Sequence, residues 1–159
     1  MSNQPKKVPM SELSPLLLGL INDGTDVTFT VTGQSMQPTF YNLRDTAVLT
    51  KCDPLSLKKG QIPMYIRENG QHVLHRIVKV HKDTYDMCGD HQYEIERGVP
   101  KSAVICVTKS FTHKGKPVSC NNAFYKLYSF LWCLCIPLRR PIFAIHRRLN
   151  KWFGGKNEK

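Results

Sequence analysis

Three short stretches carry residue types that could do chemistry together. Ser35 stands in Thr32-Gly33-Gln34-Ser35-Met36-Gln37-Pro38, a turn that directly follows an alternating segment. A serine at such a corner exposes its hydroxyl and leaves its own backbone N–H free as an oxyanion donor. His75 lies in Leu74-His75-Arg76-Ile77. On a strand of period two, Leu74 and Arg76 face one side, and His75 and Ile77 the other. The imidazole is thereby set apart from its charged neighbour, with a pKa near neutrality, and a neutral imidazole is the natural base for a serine hydroxyl. His72 falls on the opposite face and is the weaker base. Asp90, in Gly89-Asp90-His91, supplies a carboxylate that could orient His75 and stabilise its charged form. Read singly, each has an ordinary structural alternative: a turn serine, a strand histidine, an aspartate in a solvated turn.

The elements that must position these residues are mostly short strands. Val27, Phe29 and Val31 alternate with threonines up to Thr32, which predicts a half-buried strand ahead of Ser35. Further strands are expected at Thr46–Thr50, Ile62–Arg67, His72–His81, Thr84–Cys88 and Ala103–Phe111. Asn69-Gly70 suits a two-residue type I′ turn and predicts a hairpin on either side of it. Before the strands, Ser14 as N-cap and Pro15 at the first helical position predict a short helix ending at Asn22-Asp23-Gly24. The apolar run Leu16–Ile21 is too short for a secretory signal. The pattern predicts a mainly β fold, a coiled sheet or partly open barrel, with a short N-terminal helix over 1–26, a β domain over 27–118 and a helical tail over 119–159.

In order and spacing, Gly33-Gln34-Ser35-Met36-Gln37-Pro38, His75-Arg76-Ile77 and Gly89-Asp90 resemble the conserved boxes of the type I signal peptidase superfamily, in its serine–histidine branch of endoplasmic-reticulum and archaeal enzymes. The resemblance covers about Val27 to Phe111. It implies a mostly β peptidase fold, a Ser35 nucleophile, His75 as general base and cleavage of a leader or signal-like peptide after small side chains. Asp90 is then the third member, with Glu94 in reserve, and Gly33, Gln34 and Met36 lie on the substrate or oxyanion side. Two departures stand out. No N-terminal membrane anchor is seen before the boxes, and Gly33 stands where many members carry a serine. The Thr-Gly-x-Ser-Met spelling is also similar to LexA-like self-cleaving peptidases, but those pair serine with lysine, and the sequence has no Ala-Gly cleavage bond.

Charge singles out the tail. The chain has 159 residues and a net charge of +11. From Lys109 onward there are eleven basic residues and one acid, while residues 1–108 are nearly balanced. Phe124, Leu127, Tyr128, Leu131, Trp132 and Cys135 fall on one helical stripe, and a basic-amphipathic piece with Ile142, Phe143 and Trp152 follows. The apolar run Leu127–Leu138 gives a helix of about 18 Å, against a hydrocarbon core of about 30 Å. An interfacial position is therefore expected, with Trp132, Arg139, Arg140, Arg147 and Arg148 at an anionic membrane surface. The alternative for the tail is packing on the β body. With no export signal, the expected location is the cytoplasmic side, with peripheral membrane association. The six cysteines form no CxxC pair and read as free thiols; Cys88 and His91 lack a second half-site for zinc, and no cofactor or metal is expected. A reading from another class remains: a non-catalytic β module that docks on anionic membrane or, less readily, nucleic acid through its basic tail.

Overall fold

The computed structural model describes residues 10–141, with side chains from residue 15 onward. Arg147, Arg148 and the apolar positions from Ile142 lie outside that description, while Ser14, the predicted N-cap, falls inside the first helix. The fold is mainly β, with a curled half-barrel sheet, as the pattern of short strands predicts. Helix α1 (Met10–Asn22) begins before the predicted Ser14-Pro15 start, so Pro15 sits inside it and removes one backbone donor. Leu17 and Ile21 pack it on Leu49, Met64 and Cys106.

Strands β1 (Val27–Thr30), β2 (Thr46–Thr50), β3 (Pro63–Ile66), β4 (His72–Leu74), β8 (Val104–His113) and β9 (Lys116–Ser119) form one sheet, in the order β1-β2-β8-β3-β4 with β9 added to β8. A second sheet holds β5 (Arg76–Val80), β6 (Thr84–Cys88) and β7 (Glu96–Pro100). Every ladder is antiparallel, and register shifts in four of them add the local bending that curls the sheets. Tyr65, Val73, Ile77, Tyr85, Met87 and Val104 join the two sheets in one core.

Three departures from the sequence reading matter for the site. The single strand expected over His72–His81 is two: β4 ends at Leu74 in the large sheet, β5 begins at Arg76 in the small one, and His75 is the corner between them. The Asn69-Gly70 hairpin forms, but only Gly70 takes positive φ, and its N–H bonds to Arg67 O, so the connection is a longer loop and not type I′. The two-residue loop with positive φ at both central positions is Lys114-Gly115, between β8 and β9.

Helix α2 (Ala123–Leu134) is capped by the Asn122 side chain, which accepts from the N–H groups of Phe124 and Tyr125, and a further helical segment follows at 136–141. Its buried ridge is Tyr125, Ser129 and Cys133, which corrects the predicted stripe. Phe124, Leu127 and Leu131 point outward, and Tyr128, Trp132 and Cys135 are half-buried. The reason is polar: the hydroxyls of Tyr125 and Ser129 turn inward to meet the buried Arg76 guanidinium. Among the described residues, no helix is long and apolar enough to cross a membrane.

Candidate functional site

Ser35 sits half-buried in the turn after β1, and that turn is pinned from both ends. Met36 and Phe40 insert into a core with Ala47, Ile62 and Phe111, so the residue after the serine anchors it from beneath. Gly33 N–H donates to Asn42 Oδ1 at 3.0 Å, and is therefore not free to serve an oxyanion. The turn's own hydrogen bonds run from Gln37 N–H to Gln34 O and from Phe40 N–H to Met36 O. They leave the Ser35 N–H as the expected donor. Asp45, the other acid close in sequence to these strands, is fully buried and braces the loop, accepting from Tyr41 N–H and from Arg44.

The Gly89-Asp90-His91 segment lies against this turn. His91 N–H donates to Ser35 O at 2.8 Å. A Cβ on residue 89 would stand 2.5 Å from that same carbonyl oxygen, a distance that only glycine avoids. The serine turn and the Gly-Asp segment, far apart in sequence, are thus one backbone unit.

Ser35 and His75 line a single groove of about 390 Å³, together with Gly33, Gln34, Met36 and Gln92 and the apolar side chains of Phe29, Val31, Met64 and Leu74. A larger groove of about 560 Å³ lies between the β8–β9 hairpin and α2; its walls are mainly aromatic and apolar, and it contains neither Ser35 nor His75.

His75 is only 4% exposed. Its Nδ1 lies 3.3 Å from the Tyr65 hydroxyl, which donates to Glu96 Oε2 at 2.7 Å. Glu96 in turn receives two nitrogens of Arg67, the closest at 2.5 Å. Those bonds hold the Glu96 carboxyl below its usual range, and burial pushes the Tyr65 phenol well above its own. Both protonation states are therefore settled at neutral pH, and the hydrogen-bond directions follow. Tyr65 has one proton, and an ionised Glu96 can only accept it. The phenol oxygen must then accept from His75, which places the imidazole proton on Nδ1 and leaves Nε2 with a bare lone pair. That is the tautomer a general base requires.

Two expectations are corrected here. The pKa of His75 is not near neutrality: burial first, then the Arg67 charge, lower it to about 4, against opposing pulls from Glu96 and Asp90. Asp90 does not occupy the orienting position either. Both its oxygens are taken by the neighbouring Arg76, at 2.8 and 2.6 Å, and Thr39 also donates to it. Arg76 and Asp90 are both fully buried, and the remaining guanidinium nitrogen donates to Gly60 O and to the hydroxyls of Tyr125 and Ser129. A buried guanidinium needs this many partners. Glu94, the reserve candidate, is exposed. The group that reaches His75 is the Tyr65–Glu96 pair, which sequence reasoning missed because a strand tyrosine reads as core.

In the tail, Arg139 is also buried, only 1% exposed. It stacks over Trp132 and donates to Gly89 O and Gln92 O, each at 3.0 Å. It is therefore not a lipid-facing residue, and Trp132 lies half-buried beneath it. Arg140 is exposed, over the Tyr93 ring. All six cysteines are free, and burial raises the thiols of Cys52, Cys88, Cys106 and Cys120 to about 11 or 12, which makes them poor nucleophiles. In comparisons with known proteins, the chain matches no family model and no curated protein.

Proposed function

We propose that the protein is a serine endopeptidase of signal-peptidase-like chemistry, cleaving a leader or signal-like peptide segment. The observation that carries the reading is that Ser35 and a buried His75, whose Nδ1 is held by Tyr65, line one groove of mixed polar and apolar walls. Ser35 Oγ attacks the carbonyl carbon of the scissile bond while His75 Nε2 takes the hydroxyl proton. The imidazolium that forms keeps its Nδ1–H on Tyr65, and the Glu96 charge beyond it offsets the new positive charge. The oxyanion of the tetrahedral intermediate receives the Ser35 N–H. Collapse breaks the C–N bond, the leaving amine takes the proton from His75, and water then hydrolyses the acyl-serine by the same route in reverse. Tyr65 and Glu96 are positioning residues in this scheme. Arg76 and Asp90 hold the corner on which His75 is placed.

The resemblance of the three boxes to type I signal peptidases supports the same reading and suggests a small side chain on the acyl side of the cleaved bond. The test is turnover of fluorogenic leader-like peptides varied at that position. Cleavage by the wild type, lost in Ser35→Ala and in His75→Ala with the fold intact, is expected. Equal turnover in the wild type and both variants would overturn the assignment.

A further inference from the structure

Helix α2 is turned the wrong way round for a helix that only covers a β body. Such a helix normally buries its most apolar stripe and shows its polar face to water. Here the inward ridge carries hydroxyls that bind Arg76, while Leu127, Phe130, Leu131 and Leu134, at i, i+3, i+4 and i+7, all face outward. Phe124, at 82% exposed, and Leu138 extend this face at its two ends. A contiguous apolar face of this kind marks a contact surface.

Charge identifies what it contacts. The chain from 123 to 141 contains no acidic residue, and Lys126 on α2 and Arg140 in the helical segment after it are both exposed. Eleven basic residues against one acid from Lys109 onward would set two copies of this face against each other with like charge. Nucleic acid would be met by the cations and would leave the leucines in water. Apolar side chains at the headgroup boundary with flanking cations suit an anionic phospholipid surface. We infer that the outward face of α2 docks the protein on anionic phospholipid. The helix is bolted to the rest of the molecule by Arg76 to Tyr125 and Ser129, and by Arg139 to Gly89 and Gln92. Gln92 also lines the Ser35–His75 groove, so docking holds that groove at the bilayer surface, where a membrane-presented peptide would meet it. This last step rests on the peptidase reading; the lipid contact does not.

Co-sedimentation of the full chain with phosphatidylcholine vesicles and with vesicles containing phosphatidylglycerol tests the inference. Binding is expected to need the anionic lipid and to weaken with salt. It should fall about tenfold for each outward leucine removed in Leu127→Ser and Leu131→Ser, with melting temperatures unchanged. Ser35→Ala should bind like the wild type, so a failure of docking and a failure of catalysis are read separately. Equal binding by the leucine variants, binding indifferent to anionic lipid, or a soluble dimer that the same variants dissociate would each overturn the proposal.

Discussion

His75 and Arg76 are adjacent in the chain, and each is at the centre of a different polar network. Around His75 the partners are Tyr65, Glu96 and Arg67, a line that runs outward to partly exposed groups and opens on a groove. Around Arg76 the partners are Asp90, Thr39, Gly60, Tyr125 and Ser129, sealed between the sheets and α2. The first network fixes where one proton sits and leaves a lone pair free. The second leaves nothing free: it ties the Gly-Asp segment, the β4–β5 corner and α2 into one block. On the proposed reading one network reacts and the other holds it in place, so damage to each should show in different measurements.

The largest separation comes from the reacting groups themselves. Ser35→Ala and His75→Ala should each lower peptide turnover by about four orders of magnitude or more, with urea unfolding of Ser35→Ala close to the wild type. Breaking the second network should do the opposite. Asp90→Asn or Arg76→Met strands a buried partner and should cost about 3–5 kcal/mol in urea unfolding. The double variant Arg76→Met/Asp90→Leu should recover much of that loss, because a buried pair replaced by apolar groups no longer leaves an unpaired charge.

Acidification distinguishes the networks a third way. The pKa of His75 lies at about 4 in the fold and 6.5 as its ordinary value. The unfolded chain therefore binds more protons between those limits, so the neutral His75 contributes fully above about 6.5 and its contribution is lost as pH falls towards 4. The full displacement corresponds to about 3 kcal/mol. Unfolding midpoints followed over this range should show that slope in the wild type and lose it in His75→Gln. The activity profile should likewise have its acid limb well below neutrality. The smallest effect belongs to the positioning pair. Glu96→Gln removes a charge that raises the His75 pKa, so the acid limb should move lower still, and turnover should drop about ten- to a hundredfold. A purely structural role for Glu96 would leave the limb where it is.

Much of the fold is legible in residue patterns. Strands β2 and β6 form as expected from their β-branched and aromatic residues, and the Asn69-Gly70 hairpin is where it should be. Strands β7 and β9 are not legible, since Glu-Arg-Gly-Val-Pro and Lys-Pro-Val-Ser lack alternation and carry residues that usually break strands. Ser35 and His75 stand out by type and spacing. The partners of His75 do not, because Tyr65 lies on β3 and Glu96 begins β7, strands of different sheets that a side-chain hydrogen bond joins across a long stretch of sequence. Asp90 was visible as an acid in a glycine turn, but its role depends on Arg76, and a strand arginine reads as solvent-facing until a second sheet and a helix close over it.

The central claim is that Ser35 is a nucleophile activated by His75. Its most direct test is covalent labelling with a peptidyl phosphonate at neutral pH, with the adduct located by peptide mass spectrometry. A single adduct on Ser35 is expected, absent from Ser35→Ala and strongly slowed in a folded His75→Ala. A wild type that stays unlabelled, or labelling of Ser35 at an undiminished rate without His75, would contradict it.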